Sequence, residues 1–253
     1  MKNPYFDLQA EMGITKHLGG LESTEKLVKL CRINKDSYVL DMGCGVGATS
    51  CYLAKKHGCS VVGVDISKRM IDRAKERAKE QGLEIEFVRA DAQKLPFENN
   101  SFDAVISESV TAFPNNKAKA LKEYRRVTRK GGYVGLCETT WLKPPTKEVS
   151  AYIFKNAGGC RPEPFEDWKQ LLKSSKLKDV SAECYKIEAL DQIIGEIRLT
   201  GFKHISMAWY RLIGLCITSS ECRKAIKGMA KSASAKPKNL LDYFGYGIYI
   251  GRK

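Results

Sequence analysis

The chain has 253 residues, 43% of them hydrophobic, and carries 43 Lys and Arg against 29 Asp and Glu, a formal net charge of +14. One α/β domain with a sizeable core fits that length, and two domains are not required. No stretch reaches the roughly 18 uninterrupted apolar residues of a membrane span, Met1–Pro4 leads into no apolar run, and the nine cysteines form no C-x-x-C pair, so a cytoplasmic location with reduced thiols and no metal site is expected.

In chain order the pattern predicts a helix at Leu21–Cys31, a strand at Tyr38–Met42, a helix at Ala48–His57, a strand at Ser60–Asp65 and a helix at Lys68–Gln81. Strands follow at Glu84–Arg89 and Ala104–Glu108, then a helix at Ala118–Arg129 and a strand at Tyr133–Thr139 entered through Gly131-Gly132. Phe165–Ser174 reads as a helix, Val180–Ile187 as a strand and Tyr246–Ile250 as the last strand. Strands alternating with helices over short connections form a parallel sheet covered on both faces, with ligands at the carboxyl ends of its strands. Ile205–Ile217 is expected as a helix packed over the sheet, the alternative being a lid that lines a substrate pocket or touches a bilayer. Arg223, Lys224, Lys227 and Lys231 recur at spacings that place most of them on one helical side, with a loop at Ser232–Pro237. A solvated face is the ordinary reading; phosphate, RNA or anionic lipid are the alternatives. No helix-turn-helix, RRM or zinc motif accompanies the lysines, and no aromatic residues interleave with them, so nucleic acid is not the expected partner.

The stretch Val39-Leu40-Asp41-Met42-Gly43-Cys44-Gly45-Val46-Gly47 runs from an apolar strand through three glycines into a helix, the arrangement of a nucleotide-cofactor loop. Gly43-x-Gly45-x-x-Ala48 also satisfies the dinucleotide fingerprint, so an NAD oxidoreductase is an alternative. Asp41, two residues before the first glycine, is an awkward neighbour for a pyrophosphate and a natural one for a cationic cofactor. Asp65 closes the run Val61-Val62-Gly63-Val64 twenty residues past Gly45, where an acid can accept both ribose hydroxyls, and Asp91 ends the third strand, where it can accept from an adenine amino group.

Asp41-x-Gly43-x-Gly45-x-Gly47, Asp65, Asp91-Ala92-Gln93-Lys94-Leu95-Pro96-Phe97 and Ser101-Phe102-Asp103 together resemble the class I S-adenosylmethionine-dependent methyltransferases. Over about residues 15–140 the likeness is strongest to the branch of ubiquinone and menaquinone C-methyltransferases and other small-molecule enzymes. It implies a Rossmann-like, seven-stranded, mostly parallel sheet with helices on both faces and an antiparallel last strand, before which this chain is expected to carry a helical insertion. It further implies a single domain over 1–253. Within it, 1–36 would cover the cofactor and 37–141 bind it; beyond Trp141 no motif carries the resemblance, and 142–164 and 188–242 are expected as lids on the substrate side because variable connections on a rigid sheet commonly set specificity. The cofactor would be S-adenosyl-L-methionine, leaving S-adenosyl-L-homocysteine. Carried over by position, Gly43, Gly45 and Gly47 lie under the methionine moiety, Asp65 holds the ribose, and Asp91 holds the adenine with an N–H from Ala92. Asp41, Cys44, Ile66, Met70 and Ser107 complete the set, with Tyr5 and His17 on the segment folded across it.

A sulfonium methyl is already a strong electrophile, so positioning does most of the work and no triad is expected. If a proton must leave the acceptor, Glu108, Glu138 and His17 are the candidates. The plainer readings make Glu108 a cap for the loop before Phe113-Pro114, and His17 a surface residue beside a Gly19-Gly20 turn. The expected acceptor is a small organic molecule, apolar or lipid-like, with peripheral membrane contact an open alternative and oligomeric state not specified by any motif. An RNA or protein acceptor, reached through the Lys224–Lys238 face, is a second possibility. Arsenite bound by Cys51, Cys160 and Cys184 is a third.

Overall fold

Val39, Leu40 and Met42 make β1 (Tyr38–Met42) apolar on both sides, and Val61, Val62 and Val64 do the same for β2 (Ser60–Asp65). Such strands bury both faces and therefore belong inside a parallel sheet covered by helices. In the computed structural model, which describes residues 4–14 and 17–253, they lie near the centre of a sheet ordered β3-β2-β1-β4-β5-β8-β7. Its other strands are β3 (Glu86–Arg89), β4 (Phe102–Glu108), β5 (Thr128–Trp141), β7 (Lys178–Lys186) and β8 (Phe244–Arg252). β1 to β5 run parallel, and β8 is antiparallel to both β5 and β7. A two-residue strand, β6 (Glu163–Pro164), pairs with the end of β5 and makes the sheet eight-stranded where seven strands were expected.

Alternate residues of each strand feed the two sides of the sheet. Leu40, Met42, Val105 and Leu136 pack with Leu121 and Tyr124 of α5 (Lys117–Val127) and with Trp168 and Leu172 of α7 (Phe165–Ser174), all buried. On the other side Val39, Val61, Ala104 and Ile106 meet Leu27 and Val28 of α2 (Gly20–Leu30) and Leu53 of α3 (Ala48–His57). Ala74 and Ala78 of α4 (Lys68–Glu80) close onto Phe87, Cys44 and Cys51.

Several boundaries differ from expectation by one or more residues, and four of the shifts bear on the architecture. The α5 helix stops at Val127 because Thr128 turns to extended backbone and its Oγ–H donates to Tyr124 O at 2.7 Å. β5 therefore begins at Thr128, and Gly131-Gly132 falls inside the strand at a register shift opposite Phe102 and Ala104. The last strand extends to Phe244–Arg252, because Tyr133–Trp141 offers a partner for every residue of it. The basic helix α10 (Ser220–Ser234) runs through the expected start of the loop at Ser232.

The insertion before β8 holds α8 (Ala189–Thr200), α9 (Phe202–Thr218) and α10. The expectation that Ile205–Ile217 packs over the sheet is corrected: α9 rests mainly on α1 (Pro4–Met12), α8 and α10. The first three strands walk to one sheet edge and the chain then returns to place β4 against the other side of β1. That reversal opens a crevice at the carboxyl ends of β2, β1 and β4, the usual ligand position in such sheets.

Candidate active site

Three neighbouring strands deliver the site. β2 ends in Asp65, β1 runs into Gly43, and β4 ends in Glu108, with Met42 in register with Val64 on one side and Ser107 on the other. Gly43 has φ 75°, and a Cβ there would collide with the Val110 side chain. Gly47, at φ 76°, forms the N-cap of α3 and would place a Cβ 2.9 Å from the Ala74 methyl. A side chain at either point would block the turn that brings backbone N–H groups to the crevice.

A cavity of about 460 Å³ lies over this crevice. Of the residues singled out in the sequence, Asp41, Gly43, Cys44, Gly45, Asp65, Ile66, Met70, Glu108 and His17 line it, and Gly47 stands outside the lining. Sequence reasoning missed the contributions of Phe6, Asp7 and Gln9 from α1, Thr49, Ser67, Val110, Phe113 and Leu199. Thr49 was within reach, since it sits in the first turn after the glycine loop; Phe6 and Leu199 arrive from distant segments that no spacing rule links to the loop.

Asp65 already accepts two backbone hydrogen bonds, from Gly45 N–H at 3.1 Å and Ser67 N–H at 2.8 Å. Burial nonetheless raises its pKa, those N–H donors pulling the other way. Asp41 is buried, accepts from Ser50 Oγ–H at 2.5 Å, and is pushed up to about 7 by burial, the nearby Glu108 and Asp65 carboxylates adding to the rise.

Glu108 accepts from the hydroxyls of Thr24 and Thr49, both at 2.8 Å, and its Oε1 lies 3.6 Å from His17 Nδ1. The reading of Glu108 as a mere loop cap and of His17 as a surface residue is thereby corrected. His17 Nδ1 also lies 3.3 Å from Leu18 O. Both neighbours of Nδ1 are acceptors, so Nδ1 carries the proton in neutral imidazole and Nε2 holds the lone pair. Nε2 is buried and has no hydrogen-bond partner among the described residues. The strap that carries His17 is fastened by Leu18 N–H to Ser109 Oγ at 3.1 Å and by Cys137 Sγ–H to Leu18 O at 3.2 Å.

Other candidates stand elsewhere. Glu138 is fully buried and outside the cavity lining; its carboxylate accepts from the N–H groups of Val110 (3.0 Å), Thr111 (2.6 Å) and Ala112 (3.3 Å) and holds that wall in place. Burial pushes its pKa up to about 7. Ser107 hydrogen-bonds to Glu138 and Thr111 beneath the wall. Tyr5 faces an open groove beside α10, and its neighbour Phe6 takes the place in the cavity expected for it. Asp91 and Ala92 follow β3 outside the cavity lining, with Asp91 accepting from Gln93 N–H at 2.9 Å. Cys51, Cys160 and Cys184 are not brought together, and among the described residues no group of three His, Cys, Asp or Glu side chains could hold a metal ion. Burial also raises Cys51 to about 11 and Cys160 to about 12, which suppresses the thiolates that arsenic would need.

Residues 40–136 match the family model described as a methyltransferase domain. The uncharacterized methyltransferase YodH of Bacillus subtilis is 32% identical over 172 residues, which span 67% of this chain and 72% of that protein. The chain belongs to the methyltransferase family. Phosphoethanolamine N-methyltransferase 1 of Arabidopsis thaliana is 33% identical over 168 residues, 65% of this chain, so the matched region spans only about a third (33%) of that relative. In fold, this methyltransferase resembles the S-adenosylmethionine-dependent methyltransferase of Geobacter sulfurreducens solved with S-adenosyl-L-homocysteine (TM-score 0.73, 19% identity, 97% of this chain and 96% of that one).

The site suits the family's cofactor. The acids Asp7, Asp41, Asp65 and Glu108 line the cavity, and neither Lys nor Arg does so among the described residues. That field favours a cation such as a sulfonium or an α-ammonium group and disfavours a pyrophosphate. The first turn of α3, with Ala48 and Thr49 in the lining, points its N-terminal backbone N–H groups at the cavity, where they can take a carboxylate.

Proposed function

We propose that this chain is an S-adenosylmethionine-dependent methyltransferase whose acceptor is a small, largely apolar molecule without a phosphate group, and that His17 receives the acceptor's proton. The observation that carries the proposal is the meeting, on one cavity, of Asp65, the glycine turn and the His17–Glu108 pair. Gly43, Gly45 and Gly47 would lie against the methionine part of the cofactor, Asp65 would accept the ribose hydroxyls, and Asp41 would face its positive end. Asp91 and Ala92 are proposed to reach the adenine from the end of β3. Bound there, S-adenosylmethionine supplies a sulfonium methyl, and orienting the acceptor toward it contributes about 7–11 kcal/mol.

The protein's own residues do the rest. Thr24 and Thr49 fix Glu108, which stands 3.6 Å from His17 Nδ1, and the Nε2 lone pair is held in a pocket that leaves it no other partner among the described residues. Phe6, Val110, Phe113 and Leu199 exclude water and select an apolar acceptor surface. A phosphate-bearing acceptor such as the one named for the Arabidopsis relative would find no Lys or Arg in this lining among the described residues. The resemblance over about residues 15–140 to the branch of quinone C-methyltransferases and other small-molecule enzymes is compatible with that acceptor class.

The test is transfer of radiolabelled methyl from S-adenosylmethionine into a cell extract, followed by separation of lipid, small-molecule, RNA and protein fractions. Label is expected in the lipid or small-molecule fraction. His17→Gln should lower kcat at least tenfold with the affinity for S-adenosyl-L-homocysteine unchanged. Label in RNA or protein would overturn the acceptor class, and an unchanged kcat in His17→Gln would remove the proton role.

A further inference from the structure

The α9 helix carries apolar side chains on both its inward and its outward side. Its inward side includes the buried Ala208 and Arg211, whose Nη1–H donates to Met12 O at 3.4 Å. Its outward side presents Phe202 (78% exposed), Trp209 (60%), Tyr210 (78%), Ile213 (59%) and Ile217 (74%). At about 100° per residue, Phe202, Trp209, Ile213 and Ile217 fall within an arc of roughly 80°. An ordinary surface helix turns such a stripe toward the core; a continuous exposed stripe marks a contact surface.

Charge identifies what covers it. Residues 202–238 hold eight Lys or Arg and a single acid, Glu221. The two features adjoin, because Arg223 Nη1–H donates to the carbonyls of Cys216 (2.8 Å) and Ile217 (2.9 Å), where the stripe ends and α10 begins. Beyond it Lys224, Lys227 and Lys231 are exposed along α10. Lys224 and Lys231 also edge an open groove of about 790 Å³ shared with Lys155 and Met229. Trp and Tyr beside Ile, flanked by Lys and Arg, is the composition of a helix lying in a bilayer interface. A second copy of this chain would bring +14 against +14, whereas anionic headgroups turn the same field into attraction.

We infer that α9 and α10 form a docking face for an anionic lipid bilayer. Trp209, Ile213 and Ile217 enter the headgroup region, and Lys224, Lys227 and Lys231 pair with the acidic headgroups. Among the described residues no helix is long and apolar enough to cross a membrane, so the contact is peripheral. The face lies against the cover of the cavity, since α9 packs on α1, which supplies Phe6 and Gln9, and on α8, which supplies Leu199. The inference rests on this surface alone and stands whatever the acceptor is.

The full-length protein is floated with vesicles of phosphatidylcholine alone and with vesicles containing phosphatidylglycerol. Flotation with the anionic vesicles is expected, falling with salt. Brominated lipid should quench Trp209 selectively, because Trp141 and Trp168 are buried. The Lys224→Gln/Lys227→Gln/Lys231→Gln variant should lose about fivefold in partitioning per charge removed. Trp209→Ser/Ile213→Ser/Ile217→Ser should lose flotation while melting as the parent does. Absence of flotation, equal binding to neutral vesicles, or a stable dimer that this last variant dissociates and vesicles do not would each overturn the inference.

Discussion

Replacing Asp65 by Ala separates two roles that one carboxylate could fill. In the structure its oxygens clamp the glycine loop through Gly45 N–H and the start of α4 through Ser67 N–H. Losing those bonds costs about 1–3 kcal/mol of stability, partly offset because a carboxylate no longer has to be buried. In the proposed complex the same carboxylate accepts two ribose hydroxyls, and hydrogen bonds to a charged group contribute about 1.5–3 kcal/mol each. Asp65→Ala should therefore weaken S-adenosyl-L-homocysteine binding by about 3–6 kcal/mol, roughly a hundredfold to ten-thousandfold. Asp65→Asn keeps one carbonyl acceptor and should fall between. Isothermal titration gives the affinities, and thermal melting gives an independent reading: ligand at 100 times its Kd adds about 2.7 kcal/mol to the wild type, a gain that Asp65→Ala should lose at the same concentration. A folded Asp65→Ala protein that binds S-adenosyl-L-homocysteine within about threefold of wild type, its melting still shifted by ligand, would refute the ribose role and leave Asp65 as a loop clamp.

Asp41 and Glu138 are both held near 7 by burial, well above their unfolded values of about 4. The folded state thus binds more protons between those limits, so stability falls as pH rises from about 4 through about 7 and is level above that range. The ligand-free protein should melt at a higher temperature near pH 5.5 than near pH 8, the slope should shrink in Asp41→Asn, and a rise in melting temperature with pH over this range would contradict the sign. Gly43→Ala combines a positive φ with a collision against Val110 and should cost about 2–4 kcal/mol by urea denaturation, of which a Val110→Ala partner recovers only the steric part. A single variant within about 0.5 kcal/mol of wild type would show that the turn relaxes freely.

The core sheet and its glycine loop are legible in the residue pattern alone. Val39 to Gly47, Val61 to Asp65 and Ala104 to Glu108 carry continuous apolar runs that only a parallel sheet covered on both sides can bury, and the glycines can turn where a Cβ would collide. Local signals of that kind act over a few residues, so their positions were legible without a fold, as were Asp41, Gly43, Gly45, Asp65 and Glu108 in the cavity. Tertiary structure decided the rest. That Glu138 supports a wall while Glu108 faces the site depends on which N–H and hydroxyl donors surround each carboxylate after folding. Phe6 takes the place expected of Tyr5 because α1 turns that side toward the crevice. The stripe of α9 reads in sequence like any core-facing helix; only its docking on α1 with Arg211 inward shows that Trp209, Ile213 and Ile217 face out. Hydrophobic periodicity gives the angle between residues on a helix, and the partner that covers one side fixes which way the helix faces.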